Sequence, residues 1–193
     1  MEKNRLEAFS DGVLAIIITI MVLELRAPAG ADPSALIPII PVFLSYLLSF
    51  VFVGIYWNNH HHLLQAAREV NGKVLWANLH LLFWLSLVPF VTNWLGENGF
   101  AAWPVALYGV VLLMAGFAYF LLERALVAHH GQNSMLAAAV GYDTKGYISL
   151  VCYASAIPLA FINAMLACVL YVIVAVIWFI PDQRIEKVLK RND

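Results

Sequence analysis

The amino-acid sequence predicts an all-α integral membrane protein with six transmembrane helices. Of its 193 residues, 63% are hydrophobic and 12% are charged, and the mean hydropathy is +0.82. Soluble domains average about 45–50% apolar and about 25% charged residues, so a single soluble fold explains this composition poorly. The net charge of −1 leaves no basic patch of the size that nucleic-acid binding requires, and we expect no nucleic-acid partner.

Apolar runs separated by polar or Pro/Gly-rich segments predict the individual helices. The predicted spans are Phe9–Leu25, Leu36–Trp57, Val74–Leu95, Trp103–Val127, Tyr147–Ile162 and Ala164–Ile180. Between the last two predicted spans, Asn163 is the polar residue that marks the boundary. Pro89 and Pro158 lie within the third and fifth spans and should kink them. We expect residues 1–193 to form one six-helix transmembrane domain, with residues 181–193 as a short cytoplasmic tail.

Basic residues give the expected orientation. If both termini are cytoplasmic, ten of the eleven Lys and Arg residues fall on that side and only Arg26 falls on the other. The ten are Lys3, Arg5, Arg68, Lys73, Arg124, Lys145, Arg184, Lys187, Lys190 and Arg191. This bias is the one that the positive-inside rule expects, and it favours six spans over five.

The first apolar helix is unusually short between its acidic residues. Only twelve residues, Gly12 to Leu23, separate Asp11 from Glu24. At about 1.5 Å per residue they span roughly 18 Å, against about 30 Å for the hydrocarbon core of a bilayer. A carboxylate within a span costs about 2.5–3.5 kcal/mol and therefore generally faces water or a partner.

One side of this helix carries small residues beside a row of larger ones. With Gly12 at zero and 100° per residue, Thr19 lies at about −20°, Leu23 at +20°, Ile16 at +40° and Ile20 at +80°. Small residues at this spacing favour close packing between membrane helices. Alternatively, the side lines an aqueous path in which Asp11 and Glu24 occupy wet vestibules around an apolar constriction. One helix cannot enclose such a path, so this interpretation requires a homo-oligomer.

Polar residues at the predicted cytoplasmic end have several possible roles. Ser10 or Asp11 is a candidate cap for the first helix, and Arg5 is a candidate partner for Asp11. Adjacent histidines on a helix point about 100° apart, so His60, His61 and His62 cannot chelate one ion together, although a metal site with other ligands stays open. We favour a hydrogen-bonded cluster, because buried polar groups need partners. Its candidate members are Arg5, Ser10, Asp11, Asn59, His60 or His61, and Asn78.

No nucleophile–base pattern or Gly-rich phosphate loop is present, so the sequence does not indicate catalysis, and we expect neither a cofactor nor a resident metal. Besides a passive cation channel, the sequence leaves two hypotheses open. One is a proton-coupled transporter or proton-conducting channel using Asp11, Glu24 and the histidines. The other is a metal-dependent membrane enzyme built on His60 to His62.

Several motifs together indicate a family. Arg5, Phe9, Ser10 and Asp11 form the pattern Arg-x-x-x-Phe-Ser-Asp, and "GIYWNNHHHLL", "LWANLHLLFWLSLVPFVT", "LYG" and "IWFIPDQRIE" follow in order. The chain resembles bacterial members of the lysosomal potassium channel family, transmembrane protein 175 and its prokaryotic relatives. The resemblance covers nearly the whole sequence.

The resemblance implies a passive, potassium-permeant channel in a prokaryotic cytoplasmic membrane, surrounded by lipid. It implies a homotetramer of six-helix subunits whose first helices line a central pore, narrowest at Ile16. The next inward-facing positions fall at Thr19 or Ile20 and at Leu23. A polar network that holds the first helix is implied at Arg5, Asp11, His60 or His61, and Asn78.

Overall fold

A computed structural model of the protein describes residues 3–67, 69–131, 136–137 and 143–179. The described residues contain no β-strand and form the following helices. They are α1 Lys3–Leu23, a 3₁₀-helix Pro33–Ile39, α2 Ile40–Ala66, α3 Gly72–Ser86, α4 Val88–Glu97, α5 Ala102–His130, α6 Thr144–Leu159 and α7 Ala164–Phe179. The predicted tail, residues 181–193, lies outside the described residues, as does Ile180.

Four helical stretches in the described part of the chain are long and apolar enough to cross a membrane. They are Lys3–Leu23, Pro33–Ala66, Gly72–Glu97 and Ala102–His130, and Ala164–Phe179 is a shorter apolar helix. Together with α6 they make six helical segments, so the prediction of an all-α, multi-pass membrane protein is confirmed.

The first helix begins earlier than predicted. α1 starts at Lys3, so Ser10 and Asp11 lie well inside it rather than at its N-terminus. The interpretation of either residue as a helix cap is therefore wrong. The Ser10 hydroxyl donates to the Leu6 carbonyl, 2.8 Å away, which is a bond back to the preceding turn of the same helix. The apolar run starts at Phe9, and a search for apolar residues therefore missed the two amphipathic turns before it.

Proline accounts for the break between α3 and α4. Pro89 has no N–H to donate to the carbonyl four residues earlier, and the helix is interrupted at Leu87. The third predicted span is therefore divided into two helices just before its proline. Pro158 behaves differently, because it lies next to the last residue of α6 and marks the end of that helix rather than a mid-span kink.

Two close approaches fix the helix packing. α1 packs against α2, α3 and α4, while α5 contacts α3, α4, α6 and α7. Gly96 of α4 lies so close to α2 that an added Cβ would be 2.6 Å from the Val42 Cα. At Gly109 of α5 an added Cβ would overlap the Tyr171 hydroxyl. A Cβ at either position would force its neighbour to shift, so glycine permits the close approach of α4 to α2 and of α5 to α7.

Candidate ion pathway and its polar anchor

The face of α1 that the sequence singled out is exposed in the subunit. Leu23 is 75% exposed, Ile16 60% and Ile20 42%, and Thr19 is exposed as well. Gly12 and Ala15, which lie beside them on the same face, are also exposed. The opposite face, by contrast, is buried against the other helices of the subunit, at Leu6, Ser10, Leu14, Ile17 and Met21. The predicted face is therefore not packed within one subunit and is free to meet water, lipid or a second copy.

Thr19 uses its hydroxyl proton within the helix. Its Oγ1 donates to the Ala15 carbonyl at 2.8 Å. The oxygen lone pairs remain on the exposed face, where they can accept hydrogen bonds or interact with a cation. On that face Thr19 therefore supplies acceptor oxygen between the apolar side chains of Ile16 and Leu23.

A buried chain of hydrogen bonds fastens α1 to α2 and α3. The Asn78 amide nitrogen donates to the Ser10 hydroxyl at 2.9 Å, and the Asn78 carbonyl oxygen lies 2.7 Å from His60 Nε2. All three side chains are at most 1% exposed. A satisfied polar chain in a low-dielectric interior specifies one packing arrangement, because each alternative leaves a buried group unpaired.

The chain also fixes the protonation pattern of His60. Ser10 gives its proton to Leu6 and must therefore accept from the Asn78 amide N–H, which leaves the Asn78 oxygen facing His60. His60 Nε2 must then carry the proton that it donates. His60 Nδ1 is buried without a hydrogen-bond partner among the described residues. An extra proton at Nδ1 would have no acceptor there, so this geometry favours the neutral imidazole.

Two further contacts join α1 to α2 at the same end. Trp57 Nε1 donates to Asp11 Oδ1 at 3.1 Å, and His61 Nδ1 lies 3.2 Å from Glu7 Oε1. Arg5 is exposed and makes no ion pair with Asp11 within the described residues, so the predicted pairing of these two is absent from the subunit. The structure thus brings Ser10, His60 and Asn78 into one chain, while Asp11 and His61 have partners of their own.

Sequence reasoning missed Glu7 and Trp57. Glu7 and Asp11 are four residues apart on α1, as are Trp57 and His61 on α2, so each pair shares a helix face. Antiparallel packing brings the two pairs together. This spacing is visible in the sequence, but Trp57 is the last residue of the predicted second span and Glu7 precedes the first, so neither was considered as a contact between the two helices.

The three adjacent histidines do not act together. His60 faces Asn78, and His61 faces Glu7. The ring of His62 lies against the ring of His61. In the part of the chain that the structure describes, no three His, Cys, Asp or Glu side chains group to hold a metal ion.

Comparison with known proteins defines the class. Residues 5–89 match the family described as endosomal/lysosomal potassium channel TMEM175. A potassium channel of Chryseobacterium sp. (strain P1-3) is 56% identical over 192 residues, which cover 100% of both chains. The fold and the relatives are those of a membrane ion channel, not of an enzyme. The chain belongs to the TMEM175 family.

Solved and mammalian relatives agree with this assignment. The crystal structure of a lysosomal potassium-selective channel TMEM175 homolog from Chamaesiphon minutus superposes with a TM-score of 0.77 at 26% sequence identity. The match covers 92% of this chain and 96% of that chain. The mouse endosomal/lysosomal proton channel TMEM175 is 26% identical over 181 residues, which are 83% of this chain and 36% of the mouse protein.

Proposed function

We propose that this protein is a passive, potassium-permeant cation channel that assembles as a homotetramer, with one α1 from each subunit lining a central pore. Membership of the TMEM175 family supports the channel class. The potassium channel of Chryseobacterium, 56% identical over its whole length, supports potassium as the permeant ion.

The proposed pore is inferred from one observation, that the face of α1 with Ile16 and Leu23 is exposed in the subunit. The apolar stretch of this face is roughly 18 Å long, too short to match the hydrocarbon core of about 30 Å. Around a symmetry axis the same face would border a narrow neck between wet vestibules, with Asp11 and Glu24 at its ends. Apolar rings at such a neck oppose ion passage by dewetting, and Ile16 supplies the proposed constriction.

Thr19 and Ile20 both border the proposed path. Each lies about 50° to one side of the mean direction of Ile16 and Leu23 on a helical projection. Both are exposed in the subunit. Thr19 would therefore offer acceptor oxygens to a partly hydrated ion at one edge of each α1, and Ile20 an apolar surface at the other.

The polar contacts at the start of α1 form the proposed anchor of the pore helix. Its members within the subunit are Ser10, Asp11, His60, His61 and Asn78. Arg5, which is exposed in the single subunit, is available to a neighbouring subunit. With ten of eleven basic residues on one side, we place both termini and this anchor in the cytoplasm, and the protein in a prokaryotic cytoplasmic membrane.

The hydrogen-bonded chain gives little support to proton coupling. It runs from His60 through Asn78 and Ser10 and ends at the Leu6 carbonyl, which cannot pass a proton onward. Between Gly12 and Leu23 the pore helix has no titratable side chain. Because the mouse relative is named a proton channel, proton permeation is nevertheless measured in the experiment below.

Flux from proteoliposomes tests the proposal. With potassium inside and sodium outside, at equal pH, we expect a membrane potential set by the potassium gradient, without any added substrate. A pH-sensitive dye inside the vesicles measures proton entry, and protein-free vesicles are the control. Potassium movement that occurs only with a pH gradient and in fixed proportion to protons would contradict a channel and support the transporter.

A further inference from the structure

A polar seam joins the first three turns of α1 to the last three turns of α2. On α1 it consists of Lys3, Glu7 and Asp11, which are spaced four residues apart and so share one side of the helix. We infer that Lys3, which precedes the Arg-x-x-x-Phe-Ser-Asp motif, and Glu7, which occupies one of its variable positions, are positioning residues that set the tilt of the pore helix. This inference rests on the proposed function, in which α1 lines the pore.

Lys3 makes the most extensive of the three contacts. Its ammonium lies 3.0 Å from the Ala67 carbonyl oxygen, 3.2 Å from that of Leu64 and 3.3 Å from that of Gln65. α2 ends at Ala66, so these carbonyls belong to the helix C-terminus, where the partial charge is negative. The Leu64 carbonyl also accepts from the Ala67 N–H, at 3.1 Å. A lysine ammonium has three N–H donors, and here each has an acceptor. Lys3 therefore ties the first turn of α1 to the end of α2.

Glu7 contacts His61, and through His61 and Trp57 it is linked to Asp11. Glu7 Oε1 lies 3.2 Å from His61 Nδ1, and the His61 ring stacks on Trp57 with centroids 6.1 Å apart and an interplanar angle of 23°. Trp57 in turn donates to Asp11. The His61 side chain is 42% exposed, so the pair contributes little to the free energy of unfolding. Its effect is on where α1 sits rather than on whether the subunit folds.

The seam ends where the proposed constriction begins. Beyond Asp11, the buried face of α1 is held by the apolar side chains of Leu14, Ile17 and Met21, whose contacts have no fixed direction. Leu23 lies twelve residues past Asp11, or about 18 Å at 1.5 Å per residue. Each degree of tilt about the seam would therefore move Leu23 by about 0.3 Å. A small change at Lys3 is thus magnified at the far end of the pore.

Single-channel recording in planar bilayers tests this inference. The variants are Lys3→Met, which removes the ammonium, Lys3→Arg, which keeps a cationic donor, and Glu7→Gln. Lys73→Met, which removes an exposed lysine near the start of α3, is the control. We expect Lys3→Met and Glu7→Gln to change unitary conductance or the potassium-to-sodium permeability ratio by about twofold or more. Lys3→Arg and Lys73→Met should stay close to wild type.

Comparison with the Lys73→Met and Ile16→Asn variants separates a failure of this inference from a failure of the proposed pore. Wild-type conductance and selectivity in both Lys3→Met and Glu7→Gln would overturn the inference, as would an equal change in Lys73→Met. If Lys3→Met does not fold, Glu7→Gln alone decides. Ile16→Asn is recorded in parallel: if it alters conductance while the seam variants do not, the inference fails and the pore proposal stands. If no variant alters conductance, both fail.

Discussion

Replacing Ile16 by asparagine is expected to raise unitary conductance and to relax selectivity between potassium and sodium. In the proposed tetramer this change puts four amides at the narrowest point, where the isoleucines oppose wetting. A barrier lower by about 1 kcal/mol corresponds to about a fivefold increase in ion passage. Unitary conductance and the reversal potential under opposing potassium and sodium gradients measure the two effects.

Ile173→Asn is the matched control for this prediction. Ile173 lies on α7 and is 44% exposed, so the substitution introduces the same polar group on an apolar surface away from α1. Its channels should conduct like wild type. Unchanged conductance in Ile16→Asn, or an equal increase in Ile173→Asn, would remove Ile16 from the constriction.

Replacing Asn78 by leucine is expected to cause the largest loss of stability among the anchor substitutions. Leucine has a similar volume but leaves the His60 Nε2–H without an acceptor in a site that is 1% exposed. An unsatisfied buried donor costs about 1–3 kcal/mol, and each kcal/mol lowers the melting temperature of a chain of this size by roughly 2–4 °C. Thermal unfolding in detergent measures the effect, and the readout is the loss of the folded oligomer on size-exclusion chromatography.

Asn59→Leu separates the buried chain from a general effect of losing an asparagine. Asn59 is one residue before His60, yet among the described residues its side-chain amide bonds only to the Ile55 carbonyl of its own helix, at 2.8 Å. We expect its melting temperature to stay near that of wild type. An equal loss of melting temperature in Asn59→Leu and Asn78→Leu would show that the hydrogen-bonded chain of His60, Asn78 and Ser10 does not contribute specially to stability.

The sequence indicated which residues of α1 share a side, but it left open whether the side with Ile16 packs between helices or lines an aqueous path. Helical periodicity alone placed Ile16 and Leu23 on one side, and in the subunit that side is exposed while Ile17 is only 3% exposed. Periodicity works here because the set of residues that share a side depends only on the helix repeat. What meets that face depends on the assembly, which periodicity does not specify.

The contacts that hold α1 could not be predicted from the apolar runs alone. Lys3 and Glu7 precede the predicted span, so the amphipathic start of α1 and its seam with α2 were not recognised. The Trp57–Asp11 bond requires the relative register of two antiparallel helices, which neither helix specifies alone. Ser10 was misread as a cap because serine favours that position; inside the helix its hydroxyl instead bonds to the preceding turn, a local alternative that serine also offers.

Cysteine accessibility tests the central claim, that ions and water pass along the exposed face of α1. In a background that lacks Cys152 and Cys168, Ile16→Cys and Leu23→Cys are compared with Ile17→Cys, whose position is buried in the subunit. We predict that a charged, water-soluble thiol reagent blocks potassium current through the first two variants and not through the third. Current through Ile16→Cys and Leu23→Cys that persists under the reagent, although both thiols react with a lipid-soluble one, would show that this face meets lipid and would contradict the account.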